Sequence, residues 1–338
     1  MVVDGNMTIG DARFKEQVIP IETLPNLRRV DRAGKLYRSS RQDLLSRSDS
    51  QRLSELGIRT IIDFRSKAEY KFANGEKIFD QNSEILEVII PKGRKFMQNV
   101  KDVPVKPVEL NKLSPKAIQN GAGASGPGHE SVIEQQEVAT PARRRYLINF
   151  FKLNYVATVF MRIPIYKRLL SVLYLIVDVL FRTHYRYFVS FFAKECLNPA
   201  GLLANYIDML ELSGPQICLA LRILSDPGNL PALVSCAHGK DRTGILVAMV
   251  LSLMGKSEEY ISSEYALSEV GLNPIRSRIY KEIVERTNMD ESFTHAKRET
   301  MEGMLQYIQE SYGSVPDYLE SIGFSRVEQA QLLKSFEE

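Results

Sequence analysis

A run of polar and glycine residues near position 236 interrupts two apolar segments, and this interruption constrains the fold more than any other feature of the chain. Pro231-Ala232-Leu233-Val234-Ser235 reads as a short buried strand, and Ile245 to Met254 reads as the start of an apolar helix. Between them lies Cys236-Ala237-His238-Gly239-Lys240-Asp241-Arg242-Thr243-Gly244. A buried strand, a tight loop and a helix in immediate succession are the building unit of an α/β domain. In such domains functional groups gather at the carboxyl ends of the strands.

The loop carries a thiol and a guanidinium separated by five residues, followed by a hydroxyl. The first N–H groups of a helix have no partner within it, and the helix dipole favours an anion there. Successive loop N–H groups form a nest for the same charge. Gly239 and Gly244 allow a tight curl and close approach of backbone to ligand. Arg242 offers a planar fork matched to two phosphate oxygens. Together Ala237, His238, Gly239, Lys240, Arg242 and Gly244 are expected to line a phosphate cradle, with Cys236 as nucleophile at its base. The positive surroundings favour the thiolate, which is the reactive form. Thr243 is placed to hydrogen-bond the sulfur and assist its departure. The implied chemistry is attack by Cys236 to give a phosphocysteine, then hydrolysis by water, with no metal and no cofactor required.

Other readings of the loop fail on spacing. A nucleotide-binding loop needs Gly-Lys followed by Ser or Thr, whereas Asp241 follows Gly239-Lys240. At Gly255-Lys256-Ser257 the first glycine is missing, Val250 standing in its place. A zinc site would need a second Cys or His pair at ligand spacing to Cys236 and His238. Cys196 and Cys218 read as buried apolar residues.

The leaving oxygen needs a proton, so a carboxylic acid belongs in the site. Asp63, at the carboxyl end of the apolar strand Ile58–Phe64, is a candidate by position; a structural pairing with Arg65 is its alternative.

Cys-x-x-Gly-Lys-Asp-Arg-Thr-Gly resembles the signature loop of the atypical protein tyrosine phosphatases of the bacterial secreted tyrosine phosphatase B type. Three further segments match that family in order. They are Gly34-Lys35-Leu36-Tyr37-Arg38-Ser39-Ser40, the strand Leu56 to Ser66 ending in Asp63-Phe64-Arg65-Ser66, and Tyr312 to Leu319 with Ile322-Gly323. The resemblance covers the ends and the catalytic loop, not the middle. It implies a tyrosine-phosphatase-like α/β fold, with a central, mostly parallel sheet flanked by helices and a helical lid inserted over the site. It implies action on phosphotyrosine and, for some members, phosphoinositides. Asp241 matches the family's general acid, and a loop lysine, here Lys240, goes with inositol phosphates. One position departs: Ser235 stands where the family has a histidine that positions the loop and favours the thiolate. His238, inside the loop, is placed to compensate. The departure leaves open a second reading, a weakly active or inactive phosphate-binding pseudophosphatase at a membrane surface.

The chain has 338 residues, 44% of them hydrophobic and 25% charged, in the ordinary globular range. A net charge of +3 gives no general affinity for nucleic acid. Three cysteines form no even framework and suit a reducing compartment. Met1–Gln17 lacks a signal-peptide pattern, and no apolar run reaches the roughly 18 residues of a spanning helix. The expected location is therefore cytoplasmic. Residues 1–91 and 195–338 are expected to form the two parts of the phosphatase domain. Residues 92–142, rich in Pro, Gly, Ser, Lys and Gln, read as a disordered insertion. Residues 143–194 hold ten Lys or Arg and one acid, Asp178, among many large apolar residues. They read as the basic, apolar helical lid, with an anionic membrane surface as a further partner.

Overall fold

The structure is a computed structural model, and it describes residues 16–90, 105–108, 143–183 and 185–337. The amino-terminal part gives β1 (Arg28–Arg29), β2 (Leu36–Ser39), α1 (Arg47–Ser54), β3 (Thr60–Asp63), α2 (Lys67–Phe72) and β4 (Ser83–Val88). Then come β5 (Val105–Pro107), β6 (Arg143–Leu147), α3 (Leu153–Phe160), α4 (Ile165–Phe181) and α5 (Arg186–Phe192). The carboxyl-terminal part contributes α6 (Asn198–Leu212), α7 (Gly214–Leu224), β7 (Ala232–Ser235), α8 (Asp241–Leu253), α9 (Glu258–Gly271) and α10 (Arg276–Tyr280). It closes with α11 (Arg298–Tyr312), α12 (Val315–Ser321) and α13 (Arg326–Glu337).

Among the described residues, seven strands form one sheet in the order β1-β2-β7-β3-β6-β4-β5. The inner pairs are parallel, and β1 and β5 run antiparallel at the two edges. This is the mostly parallel α/β sheet expected from the sequence. Side chains alternate across it, as a pleated strand requires. Tyr37, Ile61 and Leu233 pack with Leu24, Leu45 and Leu53 on one face. Leu36, Ile62, Ala232 and Val234 join the larger core on the other, under α7 and α8. Every residue of α8 from Arg242 to Leu251 is buried. A helix apolar on all sides belongs inside the molecule, and α8 therefore fixes the site from below.

Two expectations for the middle of the chain change. Arg143-Arg144-Arg145 does not open a lid: these residues begin β6, paired in parallel to β3 and β4 inside the sheet. A segment with alternating inward residues, Arg145 and Leu147, satisfies a strand even when its inward group is charged, provided that charge is paired. Val105–Pro107, within the expected insertion, adds an edge strand to β4; the rest of 92–142 apart from Val108 lies outside the described residues. At the start of α1 the cap is Ser46, whose Oγ accepts from the Asp49 amide.

Candidate active site

The parallel register brings Ser39, Ser235 and Asp63 level at the carboxyl ends of β2, β7 and β3. Cys236 therefore leaves the sheet from a central strand, and the residue is 3% exposed. What shapes the following loop is the capture of its carbonyl oxygens from outside. Arg38 Nη2 donates to the carbonyls of Gly239 (2.8 Å) and Lys240 (3.2 Å). Asn26 Nδ2 donates to those of His238 (3.3 Å) and Gly239 (3.0 Å). The Arg41 amide reaches the carbonyl of Ala237 at 3.3 Å. A trans peptide sets its N–H opposite its C=O, so oxygens drawn outward turn the loop amides toward the interior of the curl. Gly239 is required there: its φ is +67°, and a Cβ would lie 2.0 Å from the Ser39 carbonyl oxygen. Arg38 is itself held by Glu264, which accepts from Arg38 Nη1 at 2.6 Å and from Arg28 Nε at 2.7 Å. Burial works to raise the Glu264 carboxyl, but the two guanidiniums outweigh it and hold it below the usual carboxylate range.

Arg242, in the first turn of α8, is oriented by contacts along one edge. Nη1 donates to the Phe64 carbonyl (2.9 Å) and to Glu69 Oε2 (3.2 Å), and Nη2 to Glu69 Oε1 (3.0 Å). The Phe151 ring lies 5.0 Å from the guanidinium carbon. These bonds use three of the five N–H donors of the group. Among the described residues, Nε–H and the second Nη2 hydrogen make no hydrogen bond. They lie on adjacent nitrogens and form the parallel fork that takes two phosphate oxygens. Glu69 is aligned by a capping box at the start of α2: the Ser66 amide donates to Glu69 Oε2 (2.7 Å), and the Glu69 amide to Ser66 Oγ (3.1 Å). Desolvation works to raise the Glu69 carboxyl, and Arg242 overrides it to keep the group low.

The other expected residues fall into three groups. Thr243 Oγ1 is buried with no hydrogen-bond partner among the described residues, as is Ser235 Oγ. Asp241 stands at the start of α8, accepting from Lys240 Nζ (2.7 Å) and from Tyr206 Oη (2.8 Å). Its carboxyl is raised by burial but lowered more strongly by Lys240 and the hydrogen bonds, and lies below the usual carboxylate value. Tyr206 is aligned in turn by Tyr265, 2.7 Å from it. His238 Nε2 faces Glu282 at 2.9 Å. Burial holds the imidazole below its ordinary value despite that carboxylate.

Three residues do something other than the sequence suggested. Asp63 is completely buried between two arginines, accepting from Arg65 Nη2 (2.7 Å) and Arg145 Nη1 (2.8 Å). Burial raises its carboxyl, yet Arg65 and Arg145 more than offset this, so Asp63 is an ionised structural group with no route to a leaving oxygen. Lys240 directs its three donors to Asp241 (2.7 Å) and to the carbonyls of Phe293 (3.1 Å) and His295 (2.8 Å). Its ammonium ties the loop to the segment before α11, and its three N–H donors are taken by these bonds. The Gly244 amide already donates to the Lys240 carbonyl at 2.7 Å. Gly244 instead gives room to the Tyr265 ring, whose Cδ2 would lie 2.9 Å from a Cβ.

Glu69, Asn26, Arg28, Glu264 and Tyr206 were not singled out from the sequence. Only Glu69 left a readable signal, since Ser66-Lys67-Ala68-Glu69 has the spacing of a capping box. Phe151 and Tyr155, beside Arg242 at the start of α3, belong to the expected lid, and their rings pack 4.9 Å apart.

A parallel sheet that presents a cysteine, five loop residues and an arginine at a helix amino terminus defines the class. The chain belongs to the tyrosine phosphatase family, whose sequence profile matches residues 24–174 and 191–338. A curated relative is the triple specificity protein phosphatase PtpB of Mycobacterium tuberculosis, 34% identical over 151 residues. The match covers 40% of this chain and 55% of that protein, so the chain spans about half the length of its relative.

Proposed function

We propose that the chain is a cysteine-dependent phosphatase acting on phosphotyrosine and on phosphoinositide monoesters. The observation that carries this is the orientation of Arg242. Glu69 and the Phe64 carbonyl take one edge of the guanidinium, leaving a two-donor fork on the same short loop as the Cys236 thiol. In the first step the Cys236 thiolate attacks phosphorus, the bond to the leaving oxygen breaks, and Asp241 gives that oxygen a proton. The dianionic substrate supplies the condition for this, because negative charge beside Asp241 raises its affinity for a proton. In the second step water attacks phosphorus, Asp241 takes its proton, and the S–P bond breaks to restore the thiolate. The unpartnered Thr243 hydroxyl is placed to hydrogen-bond the departing sulfur. The cost of having Ser235 in place of histidine falls on turnover rather than on phosphate binding, since the fork and the loop amides do not involve it.

Release of phosphate from a phosphotyrosine peptide and from a short-chain phosphoinositide tests the reading. Turnover is expected to be inhibited by orthovanadate, unaffected by EDTA and abolished in Cys236→Ser. Asp241→Asn is expected to lose about a hundredfold on phosphotyrosine, whose phenol has a pKa of about 10, and far less on an activated aryl phosphate. Turnover by Cys236→Ser equal to wild type overturns the mechanism. Absence of turnover with retained, saturable binding of the phosphopeptide would establish a phosphate-binding protein instead.

A further inference from the structure

The helix α4 (Ile165–Phe181) has its polarity reversed. Its two buried residues are Ser171 and Asp178, while Ile165, Leu169, Leu173, Ile176, Leu180 and Phe181 face outward, with Leu169, Leu180 and Phe181 at 66, 70 and 72% exposed. The inward polar groups are satisfied within the hairpin formed with α5 (Arg186–Phe192). Ser171 Oγ donates to the Arg168 carbonyl at 2.6 Å. Asp178 accepts from the amides of Tyr187 (3.1 Å) and Phe188 (2.8 Å) and from Thr183, capping α5. A helix dissolved in water turns the other way, apolar side in. Contiguous apolar surface of this extent marks a contact with something other than water.

Charge identifies the occupant. Residues 153–197 contain two acids, Asp178 and Glu195. Asp178 is buried as a cap, and Glu195 is paired with Lys167. Arg182, at the end of α4, and Arg186, at the start of α5, are exposed and make no ion pair among the described residues, and Tyr166, Tyr185 and Tyr187 are exposed on the same two helices and their connection. A second copy docked on this face would set these cations against their own duplicates, whereas an anionic bilayer complements them. Tyrosine and arginine around an apolar stripe are the groups that settle at the level of lipid headgroups. At 17 residues the helix is about 26 Å long, and no helix among the described residues is long and apolar enough to cross a membrane. A helix of this kind lies along the interface.

We infer that the outward face of α4, with Arg182 and Arg186, docks the protein on an anionic lipid bilayer. The inference does not depend on the proposed chemistry. Cosedimentation of the full chain with vesicles tests it, comparing phosphatidylcholine alone with phosphatidylcholine containing about a quarter phosphatidylserine. Binding to the anionic vesicles is expected to be at least about tenfold tighter and to weaken as salt rises. The triple variant Leu169→Ser, Leu173→Ser, Leu180→Ser and the double variant Arg182→Glu, Arg186→Glu are each expected to bind at least about tenfold more weakly. Both should unfold thermally as wild type does and turn over a soluble aryl phosphate at the wild-type rate. That assay reports the chemistry separately, and the thermal transition certifies the fold even where no turnover exists. Equal binding to neutral and anionic vesicles, or wild-type binding by the triple variant, overturns the inference. So does a dimer in solution that the triple variant dissociates while vesicle binding is absent.

Discussion

The pairing of Glu69 with Arg242 fixes the plane of the guanidinium on which the proposed phosphate recognition rests. An unrestrained arginine samples many rotamers, and holding its fork in one plane concentrates the geometry that substrate needs. Glu69 is itself held by a capping box at Ser66, so a local helix-start signal ends up orienting the Arg242 guanidinium. Glu69→Ala is expected to lower kcat/KM about ten- to a hundredfold, with KM rising as well, because the fork serves ground state and transition state alike. Glu69→Gln keeps an acceptor and should recover part of the loss. Steady-state kinetics on a phosphotyrosine peptide checks both; an unchanged KM in Glu69→Ala would mean that Phe64 and Phe151 hold Arg242 without it.

Among the elements, β6 shows what sequence reading can and cannot reach. Three consecutive arginines look like a solvated or lipid-facing cluster, and no local pattern says that the third enters the sheet. Arg145 is fully buried, bonded to Asp63 (2.8 Å), Asp80 (2.6 Å) and Gln42 (2.8 Å). These partners come from β3 and from loops far away in sequence, so the pairing becomes visible only once the strands are assembled. Removing one member of such a buried network strands charges that water cannot reach. Arg145→Met is expected to destabilise the fold by about 3–5 kcal/mol, read as a lower urea midpoint, whereas Arg144→Met, at the half-exposed neighbouring position, should change it little. The strand–loop–helix unit at β7 and α8, by contrast, was legible because Ala232–Ser235 and Ile245–Leu253 are apolar runs bracketing a loop of unmistakable composition. The placing of Cys236, Arg242 and Thr243 between that strand and helix followed from it. Asp63 shows the same limit: its pairing with Arg65 is the alternative the sequence offers, but its second partner, Arg145, lies 82 residues away and is visible only in the assembled sheet. The carbonyl partners of Lys240 are equally out of reach of the sequence, since they sit some fifty residues onward, at Phe293 and His295.

At the scale of the whole molecule, buried charge ties the site to global stability. Glu264 joins α9 to β2 and, through Arg38, to the loop that follows β7; Asp63 joins β3 to β6. Both carboxyls lie below their ordinary values of 4.5 and 3.8, burial working against ionisation and the adjacent arginines prevailing. A group depressed in the folded state takes up its proton first in the unfolded chain. The stability it contributes is therefore complete above the unfolded value and is lost as pH falls toward the folded one. His238, also depressed, by burial, from 6.5, obeys the same sign at a higher pH. The urea midpoint is accordingly expected to decline shallowly as pH drops through about 6.5 and steeply below about 4.5. Because Glu264 supports Arg38 behind the loop, its protonation releases the outward pull on the Gly239 and Lys240 carbonyls that keeps the amides turned inward. Phosphate affinity should then fall together with stability on the steep limb. Titrating the protection of Cys236 against alkylation by inorganic phosphate, at pH values spanning that limb, measures this directly. Protection that persists below pH 4.5 while the urea midpoint collapses, together with intact protection in Arg38→Met, would separate the loop from the buried charges around it; loss of protection in Arg38→Met at neutral pH ties the cradle to that network.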